Sequence, residues 1–121
     1  MKSCLIVDDS KVIRMVAKKI LSELAFATEE AEDGIVALDA CRRAMPDAVL
    51  LDWNMPNMNG IDFLRELRKL PGGERPVVVF CTTENDIEHI QEAILAGANE
   101  YIMKPFDSEI LQAKFAQVGL L

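Results

Sequence analysis

The sequence predicts a doubly wound α/β fold, (βα)5, in which five parallel strands alternate with five helices. Short apolar, β-rich runs recur at nearly even spacing, helical patterns separate them, and two of the runs are continuously apolar. The runs are Cys4–Val7, a weaker one near Phe26–Ala31, Ala48–Leu51, Val77–Cys81 and Tyr101–Met103. Each interval suits one strand, one helix and their short loops. The continuously apolar runs are typical of central parallel strands that helices cover on both faces.

Helices are predicted between the runs because apolar residues recur there every three or four positions. Those expected to face the core include Val12, Ile13, Val16, Ile20 and Leu24 in the first helix, Ile61, Leu64 and Leu67 in the third, and Ile87, Ile90 and Ile94 in the fourth. Capping and breaking residues set the ends of the helices. These signals are Ser10 or Asp9 before the first helix, Asp33-Gly34 and Met45-Pro46-Asp47 around the second, Leu70-Pro71-Gly72-Gly73 after the third, Gly97 after the fourth, and Asp107 before a fifth helix from Ser108 to about Val118.

Length and composition limit the class of protein. The 121 residues, 50% of them hydrophobic and 27% charged, suit one domain spanning residues 1–121 that can bury its own core. The net charge of −7 argues against a nucleic-acid binder, which needs a basic surface. No apolar run approaches the roughly 20 residues of a membrane helix, and no signal peptide precedes the first strand. We therefore expect a cytoplasmic protein without membrane insertion.

The cysteines and the single histidine do not suggest a metal site of their own. Cys4, Cys41 and Cys81 lie far apart in apolar segments, which favours buried, reduced thiols. His89 is the only histidine, so a histidine-rich metal site is excluded. Its acidic helical neighbours favour a solvated surface position.

Polar side chains follow four of the five runs, where a parallel sheet brings strand ends to one edge. They are Asp8 and Asp9 after the first run, Asp52 after the third, Thr82, Thr83 and Glu84 after the fourth, and Lys104 with Pro105 after the fifth. Each alone is more typical of a turn, a helix cap or a surface charge. Three carboxylates at one edge repel one another, however, and a hard divalent cation such as Mg²⁺ offsets that repulsion.

These residues, together with the stretch DWNMPNMNG after the third run, resemble the receiver domain of two-component response regulators. The motifs occur in the family's order and span the whole chain, and the likeness is greatest to stand-alone, CheY-like receivers. The resemblance implies a flavodoxin-like sheet with strand order 2-1-3-4-5. It also implies a cis bond between Lys104 and Pro105, for which the sequence itself offers only an X-Pro bond.

The resemblance also implies roles for individual residues. Asp52 would accept a phosphoryl group from a histidine kinase or a histidine phosphotransfer protein, with Mg²⁺ or Mn²⁺ as the only cofactor. The metal ligands would be Asp9, Asp52, the backbone carbonyl of Asn54 and, through water, Asp8. Lys104 and Thr82 would contact the phosphoryl oxygens, and Asn54 and Glu84 would tune dephosphorylation.

The implied output is a protein-binding surface rather than an enzymatic reaction. Thr82 and Tyr101 would form the switch, although Tyr101 alone would suggest an ordinary half-buried strand tyrosine. The fourth helix, the last strand and the fifth helix would bind a downstream protein, and the chain would be a monomer. Nucleic acid is not an expected partner.

Three alternatives stay open at this point. A haloacid dehalogenase phosphatase also uses an aspartate and Mg²⁺, but it needs a second acid where this chain has Asn54. A flavodoxin-like cofactor binder needs a hydroxyl- and glycine-rich phosphate loop, where this chain has Asp8 and Asp9. A receiver-fold interaction module that works without phosphorylation usually lacks one of the key residues, and this chain keeps them all.

Overall fold

A five-stranded parallel sheet forms the centre of the computed structural model, which describes residues 1–83 and 87–121. The strands are β1 (Ser3–Val7), β2 (Ala27–Ala31), β3 (Ala48–Asp52), β4 (Val77–Thr82) and β5 (Glu100–Met103). The helices are α1 (Lys11–Glu23), α2 (Gly34–Arg43), α3 (Gly60–Lys69), α4 (Ile87–Ala96) and α5 (Ser108–Gln117). The strand order is β2-β1-β3-β4-β5, with all neighbours parallel, which confirms the predicted fold and order.

Alternating side chains of the strands form two apolar layers, one on each face of the sheet. In β1, Leu5 and Val7 face the layer that α2, α3 and α4 cover, whereas Cys4 and Ile6 face the layer of α1 and α5. All five residues of β3 are buried, as expected for a strand between two layers of helices. The weaker pattern of the second run is explained by the edge position of β2, most of whose side chains are exposed or half-buried.

The helix ends follow the predicted signals. Ser10 caps α1, Asp33 caps α2 and Asp107 caps α5, each by accepting a hydrogen bond from a backbone N–H in the first turn. Asn59 caps α3 in the same way, which the sequence interpretation did not include.

The predicted apolar face of α1 is partly wrong. Val12 and Val16 are exposed, and the helix packs instead through Ala17, Ile20 and Leu21. Of these three, only Ile20 was expected to face the core. The small Ala17 side chain allows the helix to approach the sheet closely, which an apolar count alone does not reveal.

The same error occurs in α4 but not in α3. Ile87 and Ile94 are exposed and Ile90 is half-buried, while Ala93 is the buried residue of the helix. In α3, by contrast, the predicted residues are all buried: Ile61, Leu64 and Leu67. No helix of the described residues is long and apolar enough to cross a membrane.

Candidate functional site

The loop after β1 carries two neighbouring acids, Asp8 and Asp9. Asp8 is buried, and its Oδ1 accepts a hydrogen bond from the Ser10 N–H at 2.8 Å. Ser10 in turn accepts a bond from the Ile13 N–H with its hydroxyl, which starts α1. The run Asp-Asp-Ser therefore forms a tight turn between strand and helix that points carboxylates at the sheet edge.

Asp52 is the last residue of β3, and the loop behind it closes tightly. Its Oδ1 accepts a hydrogen bond from the Trp53 N–H at 2.9 Å. The Gly60 N–H donates to the Trp53 carbonyl at 2.8 Å, and a Cβ at Gly60 would lie only 2.1 Å from the Asp52 carbonyl oxygen. Only glycine allows this approach, so Gly60 fixes the path of the loop that carries Asn54.

Lys104 lies just after β5 and joins two of the acids. Its Nζ donates to Asp8 Oδ2 at 2.7 Å and to Asp52 Oδ1 at 3.1 Å. The Lys104 backbone N–H donates to the Thr82 carbonyl at 3.0 Å, which ties the end of β5 to the end of β4. The Lys104–Pro105 peptide bond is cis, as the resemblance implied.

Asp8, Asp9 and Asp52 together could hold a metal ion. One carboxylate oxygen from each lies within 4.8 Å of the others. Oxygen-only ligands of this kind suit Mg²⁺ or Mn²⁺, and water molecules usually complete the coordination of Mg²⁺. Asn54 follows two residues after Asp52 in the exposed loop. The donor set therefore fits the predicted cation.

The buried charges shift two pKa values. Burial, with the added repulsion of Asp8, raises the pKa of Asp52 to about 6 despite the attraction of Lys104. Burial alone would lower the pKa of Lys104, but its bond to Asp8 and the charge of Asp52 outweigh that effect and raise it. The raised pKa of Asp52 means that its ionised form is disfavoured, and Lys104 stays protonated.

Thr82 and Tyr101 line one small cavity between β4, β5 and α4. Thr82 is buried at the end of β4, next to the acids, and Tyr101 is half-buried in β5. The cavity measures about 10 Å³, at or below the size that one water molecule needs, so a phenol ring cannot enter without movement of its lining. Glu84 lies outside the described residues.

Comparison with known proteins agrees with this geometry. The family profile described as "Response regulator receiver domain" matches residues 4–116. This chain belongs to the response regulator receiver family. The chain is 41% identical over 115 residues to the chemotaxis protein CheY-3 of Vibrio cholerae, covering 94% of this chain and 88% of that protein. It is 39% identical to the chemotaxis protein CheY of Pseudomonas aeruginosa, covering 94% and 93%.

Solved structures show the same likeness. The chemotaxis response regulator CheY4 of Vibrio cholerae superposes with a TM-score of 0.92 at 33% identity, covering 98% of each chain. A beryllofluoride-activated DrrB receiver domain superposes with a TM-score of 0.86 at 26% identity, covering 98% of this chain and 97% of that one. The chain is thus a CheY-like receiver domain, and its family and relatives identify it as a response regulator of phosphorelay signalling.

The structure brings together most of the side chains that the sequence singled out in this receiver. Asp8, Asp52 and Lys104 are in direct contact, Asp9 joins the same acidic group, and the Thr82 backbone binds that of Lys104.

The predicted buried thiols are confirmed: all three cysteines are buried and free, and burial raises their pKa to about 11 for Cys41 and about 12 for the other two.

The surface position predicted for His89 is wrong. The side chain is half-buried, and its ring meets that of Trp53 edge-on, with 4.9 Å between centroids. Trp53 also packs on Phe80, at 5.0 Å between centroids. Trp53, the residue after β3, is therefore in direct contact with α4, because that helix turns His89 toward the sheet edge rather than toward solvent.

Two further contacts near the site were missed by sequence reasoning. Arg14 of α1 donates to the Asp8 carbonyl, and no local sequence pattern signals this contact. Asp33 accepts a bond from the Asn57 side chain at 2.8 Å, which joins α2 to the loop after β3. No pattern within either segment predicts this second pair.

Proposed function

We propose that this receiver accepts a phosphoryl group on Asp52 from the phosphohistidine of a histidine kinase or a histidine phosphotransfer protein, in a Mg²⁺-dependent reaction. The observation that carries the proposal is the convergence of Asp52 with Asp8, Asp9 and Lys104 at the carboxyl edge of the sheet. The fold alone would not support it, since flavodoxin-like sheets serve many functions.

Asp52 has one carboxylate oxygen in a position to react. Its Oδ1 accepts bonds from the Trp53 N–H and from Lys104, whereas its Oδ2 accepts none from the described residues. A lone pair of Oδ2 would attack the phosphorus, the P–N bond of the phosphohistidine would break, and the imidazole would leave with its electron pair. Lys104, already beside the acceptor, would then contact a phosphoryl oxygen.

The metal site would be formed by Asp9, Asp52 and the Asn54 carbonyl, with Asp8 acting through a bound water. A Mg²⁺ ion there supplies positive charge to the transferring phosphoryl oxygens. Because this transfer depends mainly on position and charge, the fixed carboxylates and Lys104 do most of what the protein must contribute. Asn54 and Glu84 would control the water that later removes the phosphoryl group.

The signal would leave through the α4–β5–α5 surface. Thr82 would donate to a phosphoryl oxygen, and its movement would enlarge the cavity into which Tyr101 turns. Exposed apolar side chains support a protein-binding role for this surface: Ile87, Ile94 and Leu95 on α4 and Ile110 on α5. We propose a single receiver domain over residues 1–121, acting as a cytoplasmic monomer and as a signalling phosphoacceptor rather than an enzyme with a separate substrate.

Acetyl phosphate tests the acceptor directly. Incubated with Mg²⁺, the protein should gain the mass of one phosphoryl group, and peptide mapping should place it on Asp52. Asp52→Asn should gain none, whereas the exposed control Asp39→Asn should behave as the native chain. Beryllofluoride with Mg²⁺ should also change the fluorescence of Trp53.

Two results would favour the alternative function, a receiver-fold interaction module that works without phosphorylation. They are the absence of any mass gain in the native protein and an unchanged Trp53 signal with Mg²⁺ and beryllofluoride. If the acceptor is active, comparison of phosphotransfer rates from the histidine kinases of the host should identify the physiological donor as the fastest.

A further inference from the structure

The backbone of the acidic loop is held from two sides at Asp8. Its N–H donates to the Ala31 carbonyl of β2 at 3.1 Å, and its carbonyl accepts a bond from Arg14 Nη1 of α1 at 2.6 Å. Arg14 is itself fixed, because its Nε pairs with Glu30 of β2 at 3.0 Å and its side chain is only 14% exposed. The guanidinium thus joins the loop, α1 and β2.

Asp9 is the acid that depends most on this backbone. The side chain of Asp8 is held by Lys104 and the Ser10 N–H, and that of Asp52 by Lys104 and the Trp53 N–H. The exposed Asp9 carboxylate, by contrast, accepts no hydrogen bond from any of residues 1–83 and 87–121. Its direction is therefore set by the peptide unit that precedes it, whose carbonyl is the one that Arg14 binds.

We propose that Arg14 is a positioning residue for the divalent cation, acting through the Asp8–Asp9 peptide. The inference rests on the proposed function, since it assumes that Asp9 is a metal ligand. Arg14 does not touch the cation. It holds the peptide plane so that the Asp9 carboxylate faces those of Asp8 and Asp52, and Glu30 holds Arg14 in turn.

A simpler view makes the opposite prediction. If Arg14 acted only as a positive charge near three carboxylates, it would repel the cation, and its removal would strengthen binding. If it positions Asp9, removal should weaken binding even though a repulsive charge is lost. The sign of the change in Mg²⁺ affinity therefore distinguishes a positioning role of Arg14 from a purely electrostatic one.

Isothermal titration calorimetry with Mg²⁺ alone provides the test, supported by the shift in melting temperature between chelator and Mg²⁺. Arg14→Gln should weaken Mg²⁺ binding about tenfold, the usual effect of losing a group that orients a metal ligand. Arg14→Lys should weaken it as well, because one ammonium group cannot hold both Glu30 and the Asp8 carbonyl as the planar guanidinium does. Glu30→Gln should have a smaller effect of the same sign.

Arg43→Gln is the matched control. Arg43 pairs with Glu29, the residue next to Glu30 on the same strand, and both side chains are exposed. This variant removes an equal charge from a β2 ion pair without touching the acidic loop, so its Mg²⁺ affinity should match that of the native protein. All titrations are made well below the melting temperature of each metal-free variant, so that a loss of stability does not imitate a loss of affinity.

Arg14→Gln binding Mg²⁺ as tightly as the native protein, or more tightly, would overturn the inference. Native affinity in Arg14→Lys would also overturn it, because the simultaneous contact of one guanidinium with Glu30 and the Asp8 carbonyl would then not be what positions the loop. A native protein that binds no Mg²⁺ would instead overturn the metal dependence of the proposed function, and this inference with it. Native binding with unchanged Arg14 variants leaves the proposed function intact.

Discussion

Asparagine in place of Asp52 should stabilise the metal-free protein, although it removes the proposed phosphoryl acceptor. The change is nearly isosteric, and an amide oxygen can still accept the bond that the Trp53 N–H donates to Asp52 Oδ1. What disappears is a buried negative charge close to Asp8. Lys104 loses one partner but keeps its shorter bond to Asp8 at 2.7 Å.

The magnitude follows from the pKa of Asp52, which rises from 3.8 to about 6 in the folded protein. Between these two values the folded state retains a proton that the unfolded chain has released, so the stability of the native protein falls as pH rises through this window. Above pH 6 the ionised Asp52 lowers the free energy of unfolding by the full amount, on the order of 3 kcal/mol. This figure already includes the attraction of Lys104. At pH 4 most of the penalty is gone, because the folded carboxyl is protonated and the unfolded one is only about half ionised.

Thermal unfolding of native and Asp52→Asn protein in chelator is the assay. At pH 7.5 the variant should melt roughly 5–15 °C higher than the native protein, and at pH 4 the difference should shrink to roughly 1–3 °C. Saturating Mg²⁺ should narrow the difference in melting temperature, because the cation would stabilise the three carboxylates of the native site more than the two that remain in the variant. Asp39→Asn, on an exposed ion pair, should change stability by less than about 0.5 kcal/mol. Equal melting temperatures of variant and native protein at pH 7.5, or a difference as large at pH 4 as at pH 7.5, would refute the reasoning.

Three further substitutions test the supports of the site by chemical denaturation. Gly60→Ala should lower the free energy of unfolding by about 1–3 kcal/mol, because the new Cβ would meet the Asp52 carbonyl oxygen. An unchanged denaturation midpoint would contradict this close approach. Asp33→Ala removes both the cap of α2 and the partner of Asn57, and it should lower the free energy of unfolding by about 1–2 kcal/mol. A loss of stability no greater than that of Asn57→Ala would show that the cap contributes nothing. Phe115→Ala should cost about 3–5 kcal/mol, since the ring is fully buried; a loss below 1 kcal/mol would mean that the core refills the space.

The acidic site was predictable because its signals lie at strand ends. Asp8, Asp52, Thr82 and Lys104 each follow or finish an apolar run, and the parallel sheet alone brings such positions to one edge. Four separated stretches of sequence could therefore be combined without knowing any distance. Family resemblance then supplied the roles, which geometry by itself does not assign.

The helix faces were less predictable, for a physical reason. In α1 and α4, apolar residues occur on more than one side, and periodicity does not say which side meets the sheet. Ala17 and Ala93 are buried, although neither is strongly apolar, because a small side chain permits a helix to approach a sheet closely. The large residues left outside, such as Val12 and Ile87, occupy surface that a partner protein could cover.

Contacts made by long polar side chains were the hardest to foresee. Arg14 reaches the Asp8 backbone and Glu30, and the Asn57 amide reaches Asp33, across distances in sequence that no local pattern records. Such contacts depend on where the loops finally lie. They are known only once the fold is known.

Lys104 explains how the protein tolerates this acidic edge without a metal. It binds Asp8 and Asp52 at once, so three carboxylates and one ammonium leave two formal negative charges in the pocket. A divalent cation would neutralise that remainder, whereas a monovalent ion would leave one charge uncompensated. Lys104 therefore offsets only part of the repulsion among the three carboxylates, and the negative charge that remains is what a bound Mg²⁺ would compensate under the proposed function. In the proposed reaction the same ammonium, in contact with Asp52 Oδ1, would lie next to the carboxylate when a phosphoryl group brings new negative charge.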